Sequence, residues 1–146
     1  MSAPPPHDGP DRPSADAADA AGPGDLGGAL RDIADVPAVE LVSTAALHLM
    51  SAAAVKCGLG EDLPGATAEQ QKDLAEARVL IQALAGLVTA AAPDLGSHHA
   101  APLRDGLKSL QLAFREASVV PDPPGKGPGE ALTGPVWGGR GAGRGR

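Results

Sequence analysis

Residues Val39–Cys57 read VELVSTAALHLMSAAAVKC, and the fold turns on how this stretch is interpreted. Between Glu40 and Lys56 there is no acid and no fixed base, and apolar residues fall on every side of a helical wheel. That pattern predicts a helix enclosed by other helices. It does not predict a membrane span, because the uncharged run stops short of the ~18–20 apolar residues that a hydrocarbon core demands. Ser43, Thr44, His48 and Ser51 dilute it further.

The rest of the chain limits what can surround this helix. At 146 residues, with 20 Gly and 15 Pro, the sequence holds at most one domain, and much of it is too rich in helix breakers to belong to that domain. With one Phe, one Trp and no Tyr, the core falls to Leu, Val and Ala. Alanine buries little area, so a domain of about 80 residues built this way has only ~3–5 kcal/mol to draw on, and self-association would relieve it.

The net charge of −6 argues against binding to bulk nucleic acid or an anionic membrane as a whole-protein property. The charge is unevenly spread. Seven Asp lie in the first 35 residues against Arg12 and Arg31, whereas Lys126, Arg140, Arg144 and Arg146 outnumber Asp122 and Glu130 after Ser118. Cys57 is the sole cysteine, which excludes an intrachain disulfide and suits a reducing cytoplasm. Met1–Pro6 has neither a basic nor an apolar secretory region, so no signal peptide is expected.

In chain order, residues 1–28 form an acidic Pro/Ala/Asp-rich arm with too little apolar surface to offset ordering entropy. A helical domain is expected over 29–118, with long helices at about 38–57, 67–92 and 101–118. Gly58 is the expected left-handed residue closing the first. Thr67 and Gln70 make a T-x-x-Q capping box that opens the second, whose seam steps through Leu74, Ala77, Ile81, Leu84, Val88 and Ala91. Pro93 is expected to stop it, and the third starts either at Ser97 or, favoured because proline deeper than the first turn would clash, around Pro102, with Leu103, Leu107, Leu110, Phe114 and Ala117 as its seam. Short connections favour an antiparallel three-helix arrangement, an all-α fold with disordered N- and C-terminal arms. Residues 119–146, Pro/Gly-rich and ending in GGRGAGRGR, read as a flexible tail.

No constellation for catalysis stands out. His98 and His99 are adjacent, and His48 and Cys57 are nine residues apart, so neither pair has metal-ligand spacing. A helix C-terminus disfavours a thiolate, which leaves Cys57 as a small buried hydrophobe. Gly96-Ser97-His98 is no nucleophile elbow, and Glu61 and Asp62 read as solvated loop acids. Gly125-Lys126-Gly127 lacks the spacing of a phosphate loop. No catalytic residue, metal or cofactor is expected.

Three segments, HLMSAAAVKCGLGED (48–62), DLAEARVLIQALAGL (73–87) and PLRDGLKSLQLAFREAS (102–118), resemble the bacterial domain-of-unknown-function family 1844. The resemblance covers about Val36–Ser118 and extends into PDPPGKGPGEALTGPVWG (121–138), with the first helix junction written here as Cys57-Gly58-Leu59-Gly60. It implies a helical cytosolic module and supplies no catalytic residues, since no activity is attached to the family. The expectation is therefore a non-enzymatic, cytoplasmic protein–protein interaction module that self-associates, most simply as a dimer, and has no membrane partner. Leu112, outside the third seam, and the tail pair Val136 and Trp137 are the expected protein contacts. The alternative is an RNA- or ribosome-associated factor using Arg140, Arg144 and Arg146. Three arginines on flexible glycines would give weak, salt-sensitive RNA contact; otherwise the tail is a solubilising segment or a peptide that docks on the chain's own helices, with Val136 and Trp137 as anchors.

Overall fold

The computed structural model describes residues 33–136. Residues 33–35 form a helical turn, in which the Val36 N–H donates to the Ile33 carbonyl at 3.1 Å. Residues 38–136 are all helix and loop. Their long elements are α1 (Ala38–Ala54), α3 (Leu74–Leu95) and α4 (Ser97–Ala117), with one-turn helices α2 (Ala68–Gln71) and α5 (Glu130–Thr133) between and after them. The three long helices pack pairwise against one another, as the seams predicted.

The largest fully buried side chains are Ile81, Leu84 and Val88, all on α3. Leu103, Leu107, Leu110 and Phe114 of α4 close over them, and Ala46, Ala53 and Cys57 approach from the first helix. The end of the Met50 side chain from α1 fills the space beside Gly106 of α4 that a methyl group would take. The core is thus α3 lying between two partners.

The junction after α1 follows the expected chemistry. The helix widens into a π turn over Val55–Leu59, and Gly58 takes φ +93°, the left-handed value that glycine adopts without strain.

Four details depart from the sequence reading. The capping box forms, with Gln70 N–H on Thr67 Oγ1 at 3.1 Å and Thr67 N–H on Gln70 Oε1 at 2.8 Å, but it opens only the four-residue α2. Asp73 then caps a new helix by accepting from Glu76 N–H at 3.1 Å, while its own N–H goes back to the Lys56 carbonyl. Two N-cap signals six residues apart make two helices. Proline also stops less than expected. The third helical element α3 continues past Pro93 to Leu95, and α4 takes the earlier of its two expected starts, Ser97, with Pro102 inside the helix. Each proline orphans one carbonyl, that of Thr89 and that of His98, and both residues are exposed, so water can take the missing donor's place. A single residue, Gly96 at φ +82°, turns the chain between the two helices.

The third departure is α1 itself. The expected enclosure is absent: Ala46 and Ala53 are its only buried residues, and Leu41 and Leu47 are 41% and 54% exposed. By length and composition alone, Ala38–Leu59 and Leu74–Leu95 could each cross a membrane, a test that core helices of soluble proteins also pass.

The fourth is the segment from Val119, read as flexible. Up to Val136 it folds back as a strap whose residues Gly127–Glu130 are buried. Polar ties hold it. Gln111 Nε2 donates to the Pro128 carbonyl at 3.0 Å and to Thr133 Oγ1 at 3.1 Å, and Gly129 N–H donates to Gln82 Oε1 at 2.9 Å. Arg78 pairs with Asp122 at 2.8 Å while lying 5.0 Å above the Phe114 ring, and Arg115 Nη1 donates to the Asp122 carbonyl. Glu130, 5% exposed, accepts from the N–H groups of Gly125 and Val136. Hydropathy patterning is blind to such ties because they are made by backbone groups and amides, not by apolar side chains.

Candidate interaction surface

The outward residues of α1 form one continuous face. Leu41, Ala45, His48 and Ala52 repeat at i, i+4, i+7 and i+11, so they stack along one side of the helix, and Thr44, Leu47 and Ser51 lie beside them. All seven are exposed, and His48 is the only ionisable group among them. The sequence places no fixed charge on this helix between Glu40 and Lys56, so from Leu41 to Ala52 the face has no fixed charge, and the exposed Glu40, one turn before Thr44, stands at its N-terminal edge.

Helix α3 adds a similar surface. Ala75, Val79, Ala83 and Ala90 fall on its outer side, opposite Ile81 and Leu84, and Val79 is 63% exposed. Gly86 shares this side, with open space where a side chain would stand. Small residues at these positions leave the two helix backbones accessible to close approach.

The residues singled out from sequence are placed differently. Leu112, expected to stand exposed, is partly buried on α4. Val136 is 4% exposed, buried by the strap's own folding, and so is unavailable as a free anchor for another protein. Trp137, Arg140, Arg144 and Arg146 lie outside the described residues. The reactive candidates stay apart. Cys57 is buried, and that burial pushes its thiol above the ordinary range, away from the thiolate form. His48 projects from the outer face of α1. His98 and His99 occupy the first turn of α4, with their rings edge to face at 5.2 Å. Asp62 caps α2 by accepting from Ala68 N–H at 2.7 Å. Among the described residues no three His, Cys, Asp or Glu side chains gather as metal ligands would.

Sequence reasoning missed the α1 face, although its signal was present. Apolarity on all sides of one helix fits enclosure by the chain's own helices and fits enclosure by a partner equally well.

A family model described as Domain of unknown function (DUF1844) matches residues 38–116, from the first residue of α1 to the last turn of α4. No curated protein and no solved structure matches the chain.

Proposed function

We propose that this chain, which belongs to the DUF1844 family, is a helical protein–protein interaction module that self-associates through the outer face of α1. The observation that carries the reading is that face itself: Leu41, Ala45, Leu47 and Ala52 stand exposed on a helix without fixed charge between Glu40 and Lys56. A second copy is the occupant that fits. The stripe offers no charge for an oppositely charged partner to read, whereas alanines at positions 45 and 52, a heptad apart and flanked by Leu41 and His48, suit a helix meeting its own copy across a two-fold axis. Association would also add apolar burial to a core in which, among the described residues, Ile81, Leu84 and Val88 are the largest fully buried side chains. The role in this reading is non-enzymatic and cytoplasmic.

Light-scattering mass of the full chain across concentration and salt tests it. The expected result is twice the chain mass, insensitive to salt because the contact is apolar. Ala45→Glu places like charges together across the two-fold axis and should raise the dimer dissociation constant by about 100-fold or more. Leu41→Glu should do the same, with helix content unchanged in both. A wild-type monomer at about 100 μM would sink the reading, as would a dimer that survives both substitutions. A monomer that carries RNA at low salt and sheds it as salt rises would replace it with a function of the arginine tail.

A further inference from the structure

The C-terminal strap does more than cover the core. Between it and helices α3 and α4 lies a cavity of about 380 Å³, within the usual range for small-molecule sites. Its walls are of two kinds. Val88, Leu107, Leu132 and Val136 are apolar, while Arg104 and Lys108 bring two cations to the same space.

The two cations are one helical turn apart on α4, so their side chains leave the same side of the helix. Among the described residues the ion pairs are Lys72–Glu69 and Arg78–Asp122, and neither Arg104 nor Lys108 takes part in one. The chain's net charge is −6, yet among the described residues these two neighbouring cations have no carboxylate within ion-pair distance. The polar remainder of the wall is largely committed. Gln111 gives its amide hydrogens to Pro128 and Thr133, which fixes the side chain and leaves its Oε1 as an acceptor, and the Thr133 hydroxyl is engaged with the strap backbone. The cations therefore supply the free donors.

We propose that this cavity binds a small organic carboxylate, with Arg104 and Lys108 on the carboxylate and the hydrocarbon body against Val88, Leu107, Leu132 and Val136. Arginine offers a carboxylate its two-pronged donor geometry and lysine adds a point charge. The apolar walls favour a ligand with a body over a bare anion. A space of this size holds on the order of a dozen non-hydrogen atoms at the volume of liquid water, so an aryl or short acyl carboxylate is the fitting class. Since Leu132–Val136 form one wall, a bound ligand also holds the strap closed, and strap order and ligand affinity are coupled.

The experiment is an amide-shift titration of the full-length protein with benzoate, with neutral benzamide and with inorganic phosphate as the comparison probes. Benzoate should shift the Thr133 and Gly134 amides saturably, benzamide should bind at least about tenfold more weakly, and phosphate should give no saturable shift at these amides. Replacing both cations, Arg104→Gln with Lys108→Gln, should weaken benzoate about tenfold or more and leave benzamide unchanged. Both residues are exposed, so the double variant should keep the wild-type amide spectrum elsewhere. No saturable benzoate shift at the strap overturns the proposal. So does equal binding of benzoate and benzamide, saturable phosphate binding at the same amides, or benzoate affinity that survives the double substitution.

Discussion

Leu47, on a helix with no fixed charge between Glu40 and Lys56, leaves 54% of its surface exposed, whereas Glu130, in a segment of glycine and proline, leaves 5%. The two regions reverse the ordering that hydropathy alone would give them. The strap is short of large side chains, yet Glu130, Gln111 and Gln82 supply it with polar partners, and no buried side-chain nitrogen or oxygen is left unpaired among the described residues. Its prolines reduce the freedom of the unfolded chain, and Gly129, at φ +79°, passes so close to α3 that a methyl group there would stand 2.7 Å from Ala85 Cβ. By contrast the first helix has apolar surface in excess of what two neighbours can cover. What decides burial in this molecule is whether a segment's groups have partners within the chain, and α1 runs out of them.

The strongest way to break that comparison is to remove the strap's acceptor. Glu130→Ala would leave the Gly125 and Val136 N–H groups without the carboxylate that receives them, at a cost of about 2–4 kcal/mol. Glu130→Gln retains an amide oxygen in the same place and should cost less than half as much. Amide exchange across residues 125–136, with tryptic cleavage after Lys126, reads the local opening. The loss should be concentrated in the strap, with the α3 core amides still protected. Wild-type protection of the strap in Glu130→Ala would mean that apolar contacts hold it and the contrast with α1 is wrong.

A smaller effect separates the two sides of α1 itself. Cys57 sits on the covered side just after the helix, and burial raises its thiol pKa in the folded state. A group whose folded pKa is raised contributes stability that is complete below its unfolded pKa and is lost as pH climbs through the folded value. Urea midpoints should therefore hold steady up to about pH 8.5, the ordinary thiol range, and then fall. The chain has no tyrosine, so few other groups titrate in this window. Cys57→Ala should show a shallower decline over the same range. Parallel pH profiles for the two proteins would place the thiol in contact with water in solution.

How far the sequence could be read follows the same division. The stripes Leu74–Ala91 and Leu103–Phe114 identified α3 and α4 because both helices bury one regular face, and Gly58 and Thr67 marked real turns and caps. Asp73, the second cap, is masked in the sequence by the Thr67 box six residues earlier, which is by itself a sufficient signal for a helix start. The strap was legible only as the alternative in which Val136 anchors the tail on its own helices, and its polar ties were hidden for a different reason. Its anchor Gln111, 2% exposed, and its partner Gln82 look like ordinary polar residues of a wet helix face, and only the fold brings them to Pro128 and Gly129, from 17 to 47 residues away. The two cations of the strap cavity, Arg104 and Lys108, likewise read as solvated charges until the cavity beside them is seen.

The smallest expected effect tests the open side. Leu47→Ala removes side-chain atoms that are already more than half in water, so in dilute solution it should cost under about 1 kcal/mol, against ~2–5 for a fully buried leucine. Its size should depend on protein concentration. A monomer has little to lose at this position, but in a self-associated state the same atoms are covered, so the destabilisation should grow as concentration rises through the dimer dissociation constant. Denaturation midpoints for wild type and variant at two concentrations about a hundredfold apart would separate the cases. A difference that widens assigns Leu47 to the contact between copies. A small, constant difference confines that contact to the Leu41–Ala52 stripe, and a large, constant one means the outer face of α1 is covered within a single chain.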